Sequence, residues 1–175
     1  REIFETIYTM FSYAKPIENH ITVILDGTLE DVEAMAPMRY WRDNCYRSTG
    51  KMAEQYQQAV LDTATAQGNA LKEEYGKNVS ISFYVKEKTA FKREDHDAAA
   101  LAFAYQYNIP VKQVKKIYDL TIKYTIKGSK GKDSDLAYCS VVKIYSNWYL
   151  FTYVEDEWGN YQVYFLVESQ YNSVN

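Results

Sequence analysis

The feature that most constrains this chain is a run of strict alternation over residues 118–126. Five apolar side chains occupy the even positions: Tyr118, Leu120, Ile122, Tyr124 and Ile126. Polar side chains lie between them: Asp119, Thr121, Lys123 and Thr125. A period of two is typical of a β-strand with one buried and one hydrated face. An antiparallel sheet with one apolar face needs a second layer, so the rest of the chain must supply helices to cover it.

Other β-strands are predicted before and after this one. Alternating apolar residues, and later runs rich in Tyr, Val and Phe, are typical of strands. The predicted segments are Val79 to Val85, Leu136 to Tyr145, Trp148 to Val154 and Tyr161 to Val167. Between them we predict a flexible hairpin loop over Gly128 to Asp133 and a two-residue turn at Ser146-Asn147.

The turn at Ser146-Asn147 determines which side chains share a face of the sheet. If the loop has only these two residues, odd positions of the later strand face the same side as even positions of the earlier one. One face then carries Tyr138, Val142, Ile144, Tyr149, Phe151 and Tyr153. The other carries Tyr145, Trp148 and Leu150. A loop longer by one residue would reverse this assignment.

Helices are predicted where apolar residues recur every three or four positions. Hydroxyls or acids in the first turn and Gly, Asn or Pro at the end mark the boundaries. The predicted helical segments are Glu2 to Tyr13, Pro16 to Asp26, a short helix that follows Thr28 and ends before Pro37, Lys51 to Tyr75, and Arg93 to Tyr107. The aromatic connection Met38 to Gly50 is predicted to be irregular and to pack on the body of the protein.

The fold class predicted from these segments is α+β, with helices packed on an antiparallel sheet in a single domain over residues 1–175. A chain of this length buries on the order of 70% of its unfolded surface and needs no disulfide or metal to hold a core. Tyrosine is unusually frequent, with 18 residues, and suits half-buried strand positions because its ring is apolar and its tip polar.

The charge of the chain argues against a nucleic-acid partner. Its formal net charge is −3, and phosphate binding needs clustered Lys and Arg. No apolar run approaches the roughly 20 residues that span a bilayer. Because the chain opens at Arg1 without Met, we expect that an upstream segment has been removed.

No metal, cofactor or catalytic signature stands out. His96 lies between Asp95 and Asp97, but residues next to each other on a helix point apart, so this is predicted as a hydrated helix start. His20 is predicted to flank the first helix. The acidic run Glu155-Asp156-Glu157 is predicted as a hydrated turn, because it lacks the alternating ligands of a calcium loop.

The sequence also lacks the patterns of a catalytic nucleophile and of a phosphate-binding loop. Cys45 and Cys139 lie far apart, without the spacing of a redox or zinc site, and are predicted as two buried or half-buried free thiols. The loop Gly128 to Lys132 does not fit the phosphate-binding pattern. Asp119 lies on the hydrated face of its strand and is predicted as a surface charge.

The order of elements resembles a known architecture. Pro16-Ile17-Glu18-Asn19 resembles a helix start, Asp26 to Asp31 a helix break, and Trp148-Tyr149-Leu150 a strand start of the nuclear-transport-factor-like, or cystatin-like, α+β cone. More narrowly, the chain is similar to uncharacterised extracytoplasmic lipoproteins of Gram-positive gut bacteria that use this fold.

The resemblance implies a strongly bent sheet wrapped around its helices, often with a pocket between them. It also implies secretion, and a membrane attachment only through a lipid anchor upstream of Arg1. Ketosteroid isomerase and scytalone dehydratase belong to the same superfamily, but no position here aligns a carboxylate with a His or Tyr in their motifs. Their activities are therefore not expected.

The aromatic residues leave three functions open. The first is a secreted, membrane-tethered, non-enzymatic module that binds a small molecule or peptide through Tyr118, Tyr124, Tyr138, Tyr149, Phe151 and Tyr153. The alternative for these side chains is that they simply fill the interface between sheet and helices. The second function is a small hydrolase or isomerase that uses a buried carboxylate in the same cone. The third is a structural domain that contacts an envelope protein through Tyr145, Trp148 and Trp158.

Overall fold

The computed structural model describes residues 27–169 and the backbone of residues 14–17 and 20–23. The fold is α+β, with helices followed by a five-stranded antiparallel sheet, as predicted. The strands are β1 (Ala14–Ile17), β2 (His20–Val23), β3 (Ser80–Ala90), β4 (Val114–Gly128), β5 (Gly131–Ile144), β6 (Asn147–Glu155) and β7 (Tyr161–Phe165). The α-helices are α1 (Leu29–Glu33), α2 (Cys45–Thr49), α3 (Ala53–Tyr75), α4 (Arg93–Tyr107) and α5 (Leu166–Ser169). A π-helix (Tyr40–Asn44) precedes α2, and a 3-10 turn (Val111–Gln113) precedes β4.

The sheet has the strand order β3-β4-β5-β6-β7, and every neighbouring pair is antiparallel. The alternation predicted for β4 is confirmed, since Leu120, Ile122, Tyr124 and Ile126 are buried while Lys123 is exposed. β3 and β4 are longer than predicted. Both continue beyond the residues whose hydrophobic alternation marked them, because pairing with a neighbouring strand satisfies the backbone there.

The helix predicted from Pro16 to Asp26 is wrong. β1 and β2 form a hairpin instead, in which Ile17 pairs with His20. Pro16 has no N–H to donate inside a helix, and Ile21-Thr22-Val23 is a run of β-branched residues that favours a strand. The predicted element from Glu2 to Tyr13 lies outside the described residues.

The connection from Met38 to Gly50 is helical rather than irregular. The π-helix and α2 fill it, with no Gly or Pro between Pro37 and Gly50 to interrupt them. The prediction that it packs on the body is confirmed, because Tyr40, Trp41 and Cys45 are buried. The Trp41 indole N–H donates to the carbonyl oxygen of Glu33 at 2.7 Å and ties the segment to α1.

The remaining helices follow their sequence signals. Thr28 caps α1 and exchanges hydrogen bonds with Asp31, as a capping box does. The longest helix, α3, ends at Gly76, whose φ is +87°. α4 covers the predicted residues and ends at Asn108, which adopts the left-handed conformation with φ of +57°.

Both hairpin turns differ in detail from the prediction. The β4–β5 turn is only Ser129-Lys130, because Gly128 pairs with Gly131. The β5–β6 turn is Tyr145-Ser146, one residue earlier than predicted, with Ile144 paired to Asn147. Since the turn keeps two residues, the predicted faces are confirmed: Val142 lies opposite Tyr149, and Ser140 lies opposite Phe151.

The core lies on both faces of the sheet. Neighbouring residues Val141 and Val142 point to opposite faces and belong to two separate hydrophobic clusters. α4 covers one face, where Phe103 contacts Phe151 and Phe165 at ring separations of 5.3 and 5.6 Å. α3 contributes Tyr56 and Val60 to that first cluster and Leu71 and Tyr75 to the second, so it links the two.

Candidate functional site

A cleft of about 420 Å³ opens on the face of the sheet that α4 covers, just beyond that helix. Phe151 marks the boundary, because it lines the cleft and also contacts Phe103 of α4. Polar side chains from four strands line it: Thr89, Asp119, Thr121, Tyr138, Ser140 and Tyr153. We call this the Asp119 cleft.

Strand register brings these distant residues together. Asp119 of β4 pairs with Ser140 of β5, and Ser140 pairs with Phe151 of β6. Residues directly opposite each other in an antiparallel sheet project to the same face. The three side chains therefore form one row across the sheet, and Tyr153 lies two residues further along β6.

Asp119 accepts two hydrogen bonds from neutral donors. The Ser140 hydroxyl donates to Oδ1 at 2.6 Å, and the Tyr153 hydroxyl donates to Oδ2 at 3.2 Å. Among the described residues, no Lys, Arg or His forms an ion pair with this carboxylate. Burial, followed by the nearby charge of Asp119, raises the pKa of Tyr153 to about 12, so the phenol stays protonated and donating near neutral pH.

Tyr153, which lines the cleft, belongs to a cluster of aromatic rings beside it. Phe91 contacts Tyr153 edge-to-face at a centroid separation of 5.4 Å, and Tyr153 lies 5.4 Å from Tyr161. The Tyr161 hydroxyl donates to Asp95 at 3.1 Å and lies 3.4 Å from Glu155. Burial and the neighbouring Asp95 raise the pKa of Tyr161.

A second depression of about 480 Å³ lies on the other side of Tyr161, between α4 and β7. We call it the α4–β7 groove. It is lined by Tyr105, Gln106, Val154, Asp156, Tyr161 and Tyr164. Tyr105 is 93% exposed, so its ring stands at the rim without cover from the rest of the described protein.

The six tyrosine and phenylalanine residues predicted to bind a ligand are divided among three environments. Tyr138, Phe151 and Tyr153 line the Asp119 cleft. Tyr149 is buried in the core against Phe165, at a ring separation of 5.7 Å.

The other two members of that predicted set lie on the opposite face of the sheet. Tyr124 is fully buried in the cluster beneath α3, and Tyr118 packs against Trp148 at 5.9 Å. The ammonium of Lys88 lies 4.2 Å from the centre of the Tyr118 ring. The predicted set therefore does not line one cavity.

The residues predicted to contact a protein partner are also spread along the sheet. Tyr145 lies in the β5–β6 turn and Trp158 in the β6–β7 turn, at opposite ends of β6. Nine residues of strand separate them by about 30 Å. Trp158 is 79% exposed, whereas Trp148 is half-buried beside Tyr118 and Lys143.

The role of Asp119 was missed in the sequence because its partners come from other strands. Ser140 is 21 residues away and Tyr153 is 34 residues away. The predicted hydrated face of β4 is the right face, but the residues of β5 and β6 turn this part of it into a cleft. The pairing registers of β4 with β5 and of β5 with β6 would have been the signal needed to find it.

The other candidate residues have structural roles. Asp156 accepts hydrogen bonds from the backbone N–H groups of Trp158 and Asn160, both at 2.9 Å, and so stabilises the turn in which it lies. A ring nitrogen of His96 lies 3.2 Å from the carbonyl oxygen of Val114. The predicted free thiols are confirmed, with Cys45 buried and Cys139 half-buried. Within the described ranges, no group of three or more His, Cys, Asp or Glu side chains could hold a metal ion.

Comparison with protein-family models, curated proteins and solved structures gave no significant match to this chain. The resemblance to nuclear-transport-factor-like proteins therefore stays a prediction. No helix among the described residues combines the length and hydropathy of a membrane-spanning segment.

Proposed function

We propose that this protein is a non-enzymatic binding module that holds a cationic group in the Asp119 cleft. The observation that carries the proposal is the half-buried Asp119 carboxylate, which faces a cleft and forms no ion pair among the described residues. Its neutral donors, Ser140 and Tyr153, fix its position without cancelling its charge. A cation from outside would complete the site.

The surrounding groups favour a cation over an anion or a neutral ligand. Ring faces attract ammonium and guanidinium groups, and Tyr138, Phe151 and Tyr153 all line the cleft. Asp95 and Glu155 add negative charge near Tyr153 and Tyr161. An anion would meet three carboxylates at this end of the sheet.

A simple amine tests the proposal. One charge-assisted hydrogen bond and contact with an aromatic ring amount to a few kcal/mol, which corresponds to a dissociation constant on the order of 1 mM. We expect n-butylammonium to shift the NMR signals of Asp119, Ser140 and Tyr153 in a saturable way. Butyrate and glucose should leave them unchanged. Asp119→Asn keeps the shape of the side chain and removes its charge, so we expect it to weaken binding at least tenfold.

The matched control is Asp62→Asn, which removes an exposed carboxylate from α3, outside the cleft. Binding by this variant should equal that of the unchanged protein. Equal binding by Asp119→Asn would contradict the proposal, and so would a stronger response to glucose than to n-butylammonium.

An enzyme is the second candidate. The observation in its favour is the 2.6 Å hydrogen bond from the Ser140 hydroxyl to Asp119, since a carboxylate in this position can accept a proton from a nucleophile. Turnover of p-nitrophenyl acetate that is lost in both Ser140→Ala and Asp119→Asn would favour a hydrolase. We expect no turnover above that of the double variant.

The finer fold and the location belong to the same proposal. The resemblance to extracytoplasmic lipoproteins supports a strongly bent, cone-like sheet and a position outside the cytoplasm, with a lipid anchor upstream of Arg1. Protease treatment of intact cells that express the full-length protein tests the location. Degradation in intact cells is the expected result, and protection until lysis would contradict it.

A further inference from the structure

We propose that the cationic group in the Asp119 cleft belongs to a basic, extended protein segment, which continues over Tyr153 and Tyr161 into the α4–β7 groove. This inference rests on the proposed function and adds the class of partner. Its starting point is that two depressions, of about 420 and 480 Å³, lie on either side of one pair of contacting tyrosines, Tyr153 and Tyr161.

The path between the two depressions is acidic along its length. Asp119 lies in the first, and Asp95 and Glu155 meet at the Tyr161 hydroxyl where the second begins. None of these three carboxylates forms an ion pair within the described part of the chain. A segment with positive charges at both ends of the path would be complementary to it.

The exposed aromatic rings around both depressions favour a protein segment over a small molecule. A small-molecule site surrounds most of the surface of its ligand. Protein–protein interfaces are flatter and are enriched in aromatic residues. Tyr138 stands beside the first depression with 69% of its surface exposed, and Tyr105 beside the second with 93%. Trp158 adds a ring that is 79% exposed in the neighbouring turn.

Strand geometry sets the spacing of the basic residues. Asp119 and Glu155 are separated by two strand spacings across the sheet, about 10 Å, and by four residues along β6, about 13 Å. The distance between them is therefore about 16 Å. In an extended peptide, lysines four positions apart project to the same side about 13 Å apart. Their flexible side chains can span the rest of the distance of about 16 Å between the two carboxylates.

The test compares two peptides by isothermal titration calorimetry. Both are short Ser/Gly peptides with acetylated and amidated ends. One has two lysines four positions apart, and in the other the second lysine is replaced by Gln. We expect the two-lysine peptide to bind more than about tenfold tighter, because its second lysine binds after the first has already joined the peptide to the protein. Binding should weaken as salt is added.

Variants of the protein test which residues contact the second lysine. Asp95→Asn combined with Glu155→Gln should reduce binding of the two-lysine peptide to that of the one-lysine peptide. The same variant should weaken the one-lysine peptide only through the loss of two nearby charges, a much smaller effect than that on the two-lysine peptide, which shows that the cleft is intact. Tyr105→Ala, which changes no charge, should also weaken only the two-lysine peptide.

The outcomes separate this inference from the proposed function. Equal binding of the two peptides, each lost in Asp119→Asn, would overturn the inference and leave the proposed function standing. Binding of spermidine as tight as that of the two-lysine peptide would overturn the inference in favour of a small polyamine. No binding by either peptide and none by n-butylammonium would overturn both.

Discussion

Gly128 lies against the end of helix α3, where a side chain has no room. A Cβ at this position would lie 2.2 Å from the carbonyl oxygen of Tyr75, which is far inside van der Waals contact. We expect Gly128→Ala to reduce the free energy of unfolding by roughly 1–3 kcal/mol, because the turn must move away from the helix. Urea unfolding measures the effect.

Gly131 provides the control, since it pairs with Gly128 and a Cβ there would meet nothing within 4 Å. Gly131→Ala should change the stability by less than about 0.5 kcal/mol. Equal losses in the two variants would show that the contact with Tyr75 is not the cause.

For single residues, the sequence predicts which side chains are exposed better than it predicts which side chains form hydrogen bonds with each other. The alternation in β4 correctly places Asp119 on the less buried face. Its hydrogen bonds to Ser140 and Tyr153 depend on the registers of β4 with β5 and of β5 with β6. Those registers come from long-range packing, which hydrophobic periodicity does not contain.

Among the elements, helix α5 is connected to α4 by a half-buried acid, Glu168. The Tyr107 hydroxyl lies within hydrogen-bonding distance of Glu168 and 3.0 Å from the carbonyl oxygen of Val163, so its one proton is shared between two acceptors. Burial raises the pKa of Glu168 above its usual value, and the hydrogen bond from Tyr107 opposes that rise. The folded state therefore binds a proton at Glu168 more tightly than the unfolded chain does.

The sign of the pH dependence follows from that shift. Because the pKa is raised on folding, the stabilising contribution is fully present below the usual Glu pKa and is lost as the pH rises through the folded pKa. Each pKa unit corresponds to about 1.4 kcal/mol. We expect Glu168→Gln to remain neutral and to gain stability relative to the unchanged protein as the pH rises from about 4 to 8.

Urea unfolding at a series of pH values measures this difference. Glu157→Gln, in the exposed β6–β7 turn, is the control and should show no such trend. A constant difference between Glu168→Gln and the unchanged protein across the series would contradict the assignment of the pH dependence to Glu168.

At the scale of elements, local signals predict helices well only where they agree with one another. α4 has acids in its first turn, Ala-rich periodicity and Asn108 at its end, and its predicted bounds are confirmed. The segment from Pro16 has helical spacing but also proline and three adjacent β-branched residues, and it forms a hairpin. There, the propensity for a strand outweighs the apparent period.

For the molecule as a whole, helix α3 makes the two hydrophobic clusters interdependent. Leu71 of α3 is buried in one cluster, and Phe103 of α4 is buried in the other. We expect Leu71→Ala and Phe103→Ala each to cost about 2–5 kcal/mol. Since α3 belongs to both clusters, each variant should shift one common unfolding transition.

Far-UV circular dichroism and tryptophan fluorescence recorded on the same urea series test this expectation. Coincident curves are the expected result for each variant. Two separated transitions in either variant would show that the clusters unfold independently.

The sequence indicates the α+β class and the main layers of the molecule, but not that both faces of the sheet are covered. Alternation in β4 marks one apolar face. The second buried face depends on Val142 and Phe151 of neighbouring strands and on their contact with α4. Whether both faces of a sheet are covered depends on how the layers pack together, and the pattern of a single strand does not show it.

The wide separation of partners along the chain affects how the protein is made. Tyr56 in α3 donates to the carbonyl oxygen of Val167, 111 residues later, and Tyr75 donates to Asp133, 58 residues later. On the ribosome, α3 is synthesised well before the strands that cover it, so its apolar side stays exposed to solvent until those strands have been made. Chaperone association with the nascent chain should therefore begin once α3 has left the exit tunnel and continue until β7 has been released.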